Sequence, residues 1–282
     1  MVERCARSGK GLPVAIASLR GPLELKPRAS NPAVMGISAF IDAVEDRQKT
    51  VTVLNRESVD PLYRMLEGMF DDDSVTVTES QDPDQPGDVV LLRDEQTGSL
   101  AVSQMGEISE TLLLVNSDLY VTGTVPLEEV ETPEVVAHLS DVTFTVADKQ
   151  KFLLIHISRH IESLALETDD GVLHSSFQRL SRIQDERGTL RAYETLADSN
   201  VGVHVYGVDD WEQPDFADRL SVHAGDTPEL RKSWFVVHDG GGDEDRMAAL
   251  VAEEIGPNEY RGYWTFESSL VKEILDYLET RY

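Results

Sequence analysis

The chain has 282 residues, with 52 Asp and Glu against 25 Lys and Arg, a formal net charge of −27. That length allows one large or two ordinary domains whose core needs no covalent staple, and the charge argues against the basic stripe that nucleic-acid binding requires. The single cysteine, Cys5, excludes an intrachain disulfide and a cysteine-built metal site, and no apolar run approaches the ~20 residues that span a bilayer.

Lysine is scarce: Lys10, Lys26, Lys49, Lys149, Lys151, Lys232 and Lys272 are the full set, and the other cations are Arg. Self-repulsion on this scale is screened in molar salt, where the Debye length is about 3 Å. The expectation is a soluble, cytoplasmic protein of a salt-in halophile, a haloarchaeon. Residues 1–34 differ, with Arg4, Arg7, Lys10, Arg20, Lys26 and Arg28 facing only Glu3 and Glu24. They read as a disordered or non-native extension upstream of a natural start at Met35. An export signal fits less well, because the apolar run from Leu12 to Leu19 is short and no small-residue cleavage pattern follows.

From Gly36 the signals become regular. Ile37, Phe40, Ile41 and Val44 share one helical face, and Thr50–Leu54 reads as a strand. Asp60-Pro61 opens a helix bearing Leu62, Met65, Leu66 and Met69. Val75 and Val77 mark a second strand, and a Pro, Gly and Asp loop covers 79–88. Val89–Arg93 and Ser99–Ser103 form a hairpin. A short helix at 107–114, a strand at 119–122 and a Pro133-led helix complete an amino-terminal α/β unit over 35–147.

The second unit, 148–282, opens on a long helix. Leu153, Ile157, Ile161 and Leu164 follow the spacing of one buried helix face. A strand over His174–Arg179 comes next, then a helix at 186–197 and strands at 201–208, 219–223 and 233–238. A helix from Asp243 to Ile255, a strand at 260–266 and a final helix carrying Leu270, Val271, Ile274, Leu275 and Leu278 follow. The fold class is α/β, a mixed, mostly parallel sheet flanked by helices, joined to the amino-terminal α/β unit.

The chemistry-bearing motifs are sparse, and none is catalytic. His156 and His160 stand one helical turn apart, as two zinc ligands on a helix would. Ile157 occupies the position where a zincin needs Glu, so a structural role is the simpler reading. Gly240-Gly241-Gly242-Asp243-Glu244 superficially resembles the GGDEF signature of diguanylate cyclases but reads as a helix cap. No phosphate-cradling glycine loop occurs. Asp209, Asp210 and Asp239 follow predicted strand ends, the edge where doubly wound sheets bind ligands, and offer a metal or phospho-receiver site as an alternative.

The second unit resembles the DICT sensory domain of diguanylate cyclases and two-component proteins. The likeness rests on Ser-Arg-His-Ile-Glu (158–162), Phe-Gln-Arg (177–179), Tyr-Glu-Thr-Leu-Ala (193–197) and Val-His-Val-Tyr-Gly (203–207). It continues through Trp-Phe-Val-Val (234–237), Ala-Ala-Leu-Val-Ala-Glu-Glu (248–254) and Tyr-Trp-Thr-Phe-Glu (263–267). With Leu113–Gly123 included, the chain from Met35 resembles stand-alone haloarchaeal members. The resemblance implies signal transduction linked to light or another environmental cue, and supplies no ligand residues. From the residues themselves, Arg159, His160, Phe177, Gln178, Arg179, Tyr206, Trp211 and Trp234 form the candidate set for an anionic or planar ligand.

The resulting expectation is a non-enzymatic sensor. Its cofactor is unknown from the sequence; it acts on a signalling protein partner, can self-associate, and contacts neither nucleic acid nor membrane. A metal-dependent enzyme and a pure interaction scaffold are the competing readings.

Overall fold

The computed structural model describes residues 36–44, 47–57, 64, 68, 74–84, 86–111 and 120–282, which belong to one compact unit. The extension over 1–34, nearly all of the expected 60–69 helix and residues 112–119 lie outside the described residues; the expected 107–114 helix begins instead at Met105, and Tyr120–Thr122 of the expected 119–122 strand are in no strand.

The first sheet combines β1 (Lys49–Leu54), β2 (Val75–Ser80), β3 (Val89–Asp94) and β4 (Leu100–Gln104) in the order β2-β1-β3-β4. Helix α1 (Ser38–Ala43) precedes it, and α2 (Met105–Ser109) and α3 (Glu134–His138) follow. Val51, Val53, Val90, Leu92 and Ala101 turn inward and pack with Met105, Ile108, Val135 and Val136. The alternation of β1 between buried and half-buried residues is that of a sheet covered on one face.

The second sheet has seven strands, ordered β5-β11-β10-β9-β6-β7-β8. They are β5 (Phe144–Ala147), β6 (Val172–Arg179), β7 (Gly202–Val208), β8 (Ser221–Ala224), β9 (Ser233–His238), β10 (Ala248–Gly256) and β11 (Glu259–Thr265). Only the β6–β7 and β7–β8 pairs run parallel; β5–β11, β11–β10, β10–β9 and β9–β6 are antiparallel. The expected mostly parallel sheet is therefore corrected to a mixed one. Parallel pairing needs a crossover, supplied after β6 by α5 (Arg182–Asp185) and α6 (Arg187–Ala197), whereas β10 and β11 are joined by a tight turn at Pro257-Asn258.

Helix α4 (Phe152–Thr168) lies across one face of this sheet, against β9 and β10. Leu153, Ile157 and Ile161 are buried as their spacing predicts, and so are His156, Ser158, Arg159, Glu162 and Ser163. The helix is covered almost all round, because α6 and the segment at Leu127 close over its outer side. The opposite sheet face packs Phe235, Val237, Ala249 and Val251 against Val271, Ile274 and Leu278 of α8 (Ser268–Arg281) and against Ile37 and Ile41 of α1. Helix α7 (Pro228–Lys232) leads into β9, with Thr227 capping it through Leu230 N.

The expected helix over Asp243–Ile255 is instead β10, preceded by a 3-10 turn at Glu244–Arg246 that Asp243 caps. The residues Ala-Ala-Leu-Val-Ala have no polar side because both sheet faces are covered; Leu250 and Ala252 enter one core and Ala249 and Val251 the other. A short apolar run of this kind does not distinguish a central strand from a buried helix. The final helix starts after Glu267.

Gly171 sets the entry of β6, with φ +82°, and a Cβ there would lie 2.1 Å from Asp239 Oδ1. That oxygen accepts hydrogen bonds from Val172 N at 2.8 Å and Gly241 N at 3.0 Å. Gly171→Ala is therefore expected to destabilise the protein by more than about 2 kcal/mol, combining backbone strain with a steric clash. A chemical-denaturation midpoint unchanged from wild type, measured in concentrated KCl, contradicts this.

Candidate functional site

Helix α4 brings an unusual set of side chains to its buried side. Arg159 and Glu162, three residues apart on one face, form an ion pair in which both are almost wholly buried, 4% and 1% exposed. Arg159 Nη2 donates to Thr189 Oγ1 at 2.8 Å, and the Tyr193 hydroxyl donates to Glu162 Oε1 at 2.8 Å. Helix α6 therefore satisfies what α4 buries. Burial, and then the Glu162 charge, hold the Tyr193 phenol well above its ordinary range, so it stays a donor.

Beneath this pair lies a cavity of about 270 Å³. Its walls are α4 (Ser158, Arg159, Glu162), the carboxyl end of β6 (Ser175, Phe177, Gln178), α5–α6 (Arg182, Tyr193) and the β9–β11 side (Trp234, Tyr260). Trp234 Nε1 donates to Ser158 Oγ at 3.1 Å and its ring meets Tyr260 edge-on at 5.5 Å, while Phe177 meets Tyr193 edge-on at 4.9 Å. Among the described residues, two buried polar atoms on lining residues have no hydrogen-bond partner: Arg159 Nε and Ser175 Oγ. Unpaired buried polar groups are rare because each costs about 1–3 kcal/mol.

The cavity owes its shape to a bulge in β6. Register with β7 shifts between Ser176 and Arg179, and Gln178 adopts φ 62°, a left-handed conformation uncommon outside glycine. Gln178 is buried, accepts from Arg182 and donates through Nε2 to Glu254 Oε2 at 3.2 Å. Gly207 of β7 makes room for the bulge: a Cβ there would stand 3.2 Å from Leu180 N and 3.3 Å from Arg179 N.

Of the candidate ligand residues, Arg159, Phe177, Gln178 and Trp234 line this cavity. The other four lie elsewhere. His160 is half-buried against Phe266 at 5.9 Å, and Arg179 is exposed and pairs with Asp210 at 3.1 Å. Tyr206 stacks on His223 and bonds His174 Nδ1 at 2.7 Å; Trp211 packs at the rim of the main core. The bulge explains Arg179, since strict alternation would place it on the Phe177 face.

Asp209, Asp210 and Asp239 do not converge. Asp209 and Asp210 follow β7, and Asp210 receives Ser181 N and Arg179 near the carboxyl end of β6. Asp239 sits at the opposite end of β6, beside Val172, because β9 runs antiparallel to β6. Among the described residues no group of three or more His, Cys, Asp or Glu is placed to hold a metal ion. His156 and His160 are both held down to about 4 by burial, His156 further by His160; His156 Nε2 shares a hydrogen bond with Thr132 Oγ1 at 2.9 Å.

Sequence reading missed Glu162, Ser175, Arg182, Thr189, Tyr193 and Tyr260 as cavity residues. One signal was present: an Arg and a Glu three apart in a helix long and apolar enough to be buried, which such a helix tolerates only as a pair.

Residues 134–254 match the model of a family described as DICT, "Sensory domain in DIguanylate Cyclases and Two-component system". No curated protein matches the chain. Among solved structures, a polyphosphate kinase from Porphyromonas gingivalis aligns over 86% of this chain and 47% of its own, so the chain spans about half that protein's length, at 8% identity and a TM-score of 0.34.

Two outcomes follow from this geometry. Arg159→Met strands the Glu162 carboxylate and is expected to cost about 3–5 kcal/mol, while Arg159→Met/Glu162→Leu recovers most of it; a double variant as unstable as the single contradicts the buried-pair account. His156 and His174, both held at about 4 chiefly by burial, stay neutral in the folded chain after the unfolded chain has taken up protons. Stability is then level above about pH 6.5 and falls as pH drops toward 4, by up to ~3 kcal/mol per histidine. The loss should shrink in His156→Gln/His174→Gln, and an identical pH profile for that variant contradicts it.

Proposed function

Because residues 134–254 belong to the DICT family, a sensory domain of signalling proteins, we propose that the cavity under α4 is the input site of a non-enzymatic sensor. One observation carries this reading. Residues from four separate motifs that mark the family resemblance, Arg159 and Glu162, Phe177 and Gln178, Tyr193, and Trp234, line the same cavity. They do so with a buried guanidinium nitrogen and a buried hydroxyl left without partners. A small molecule that satisfies those atoms prefers the filled state, and its binding biases whichever arrangement of α4 and α6 it completes.

The output is a change relayed to a signalling protein partner, with self-association of the chain as a second mode of contact. The cell is a haloarchaeon and the compartment its cytoplasm: a −27 charge with 18 Arg against seven Lys suits molar salt, and no helix among the described residues is long and apolar enough to cross a membrane. The same charge disfavours contact with nucleic acid or with an anionic membrane surface.

The test is retention of a native compound. The protein is incubated in concentrated KCl with the small-molecule fraction of a haloarchaeal extract, and retained compounds are identified by mass spectrometry. Wild type is expected to enrich a compound that Ser175→Phe, which fills the cavity, does not, and to return it chemically unchanged. Conversion of the retained compound into a product overturns the non-enzymatic reading, and equal retention by the folded Ser175→Phe variant overturns the cavity as the input site.

A further inference from the structure

The cavity departs from the electrostatics of the rest of the chain. In a protein of net charge −27, its lining carries three cations, Lys151, Arg159 and Arg182, against two carboxylates, Glu162 and Asp185. Glu162 is committed to Arg159, and Asp185 is exposed to solvent, where its field is screened. Among the described residues neither Lys151 nor Arg182 has an ion-pair partner, whereas Arg179, Arg219, Arg231, Arg246, Arg261 and Arg281 each have one. Arg182 spends one N–H on Gln178, leaving most of its five donors in a planar fork that suits a carboxylate.

The depth of the polar groups gives the site two ends. Lys151 and Arg182 are half-buried, nearer solvent. Ser175 and Arg159, 1% and 4% exposed, form the floor and carry the two unpartnered atoms. Ser175 Oγ lies beside the Tyr193 hydroxyl, whose own proton is committed to Glu162. Between floor and mouth the surface is aromatic, from Phe177, Trp234 and Tyr260. A volume of about 270 Å³ lies just below the ~300–1,000 Å³ range of ligand pockets, too small for a dinucleotide.

We propose that the ligand is a small aromatic carboxylate bearing a polar ring substituent. Its ring packs among Phe177, Trp234 and Tyr260, its carboxylate is held by Arg182 and Lys151, and its substituent reaches Ser175 and Arg159 Nε. The proposal rests on the cavity being the input site and adds the chemical class of what enters it. An anion also explains why two cations are kept at a cavity mouth of a chain that is acidic elsewhere: without a guest they are unneutralised, and with one they gain charge-assisted hydrogen bonds in a partly desolvated site.

The experiment titrates the full chain, at one fixed KCl concentration, with 4-hydroxybenzoate and with its neutral isostere 4-hydroxybenzamide, read by calorimetry and by tryptophan emission. The acid is expected to bind at least about tenfold more tightly than the amide. Arg182→Gln and Lys151→Gln, both at half-buried positions outside the core, are each expected to weaken the acid about tenfold and leave the amide unchanged. Equal binding of acid and amide, or equal effects of Arg182→Gln on both, overturns the carboxylate assignment while the cavity remains a site. No binding of either probe, with a native compound still retained in a Ser175→Phe-sensitive manner, overturns the aromatic class alone. Loss of that retention is instead failure of the underlying input-site reading.

Discussion

The structure depends on one buried ion pair. Arg159 and Glu162 sit on a helix whose surroundings are otherwise apolar, and neither charge reaches water. Removing two such charges from water costs several kcal/mol each, which mutual attraction offsets only with good geometry and additional hydrogen bonds. Thr189 and Tyr193 of α6 supply two of them. The pair therefore fixes where α6 lies over α4, and with it the crossover that carries the chain from β6 to β7. A helix pair held only by leucines could slide by a fraction of a turn; one held by a forked guanidinium and a carboxylate has a single register.

The same pair explains why a cavity persists in a well-packed core. Phe177, Tyr193, Trp234 and Tyr260 provide ample apolar surface to close the space. Collapse onto Arg159 would leave its Nε facing carbon, and collapse onto Ser175 would do the same to its hydroxyl. Both atoms already lack partners, so the protein holds an open polar deficit at the floor of the cavity. Protein interiors rarely tolerate such a deficit without a use for it.

Much of this was legible in the sequence, and the failures have definite causes. The period of Leu153, Ile157 and Ile161 marked α4 because a helix repeats its faces whatever lies around it. Ala248–Ile255 was misread because a strand buried on both faces loses the alternation that identifies it. Asp239 was grouped with Asp209 and Asp210 because all three follow strands; strand direction, which puts them at opposite ends of β6, comes from long-range pairing that local sequence does not encode. Arg179 was placed with the ligand candidates, but one left-handed residue at Gln178 breaks the strand's alternation and leaves it outside the cavity. In Ser-Arg-His-Ile-Glu the histidine drew attention as the reactive side chain, whereas the Arg and Glu on either side of it do the work inside.

The bulge at Phe177-Gln178 is where a filled cavity would be felt elsewhere. Gln178 is held in a conformation that costs on the order of 1 kcal/mol or more for a residue with a Cβ. It is stabilised from both sides, by Arg182 on α5 and by Glu254 on β10. A guest that shifts Arg182, which itself lines the cavity, would also shift its bond to Gln178. Any such movement is passed to Glu254, whose other oxygen accepts from Asn258 N in the turn between β10 and β11. The carboxyl end of β6 is thereby joined through hydrogen bonds to the exposed β10–β11 turn, whose Asn258 itself lines the cavity.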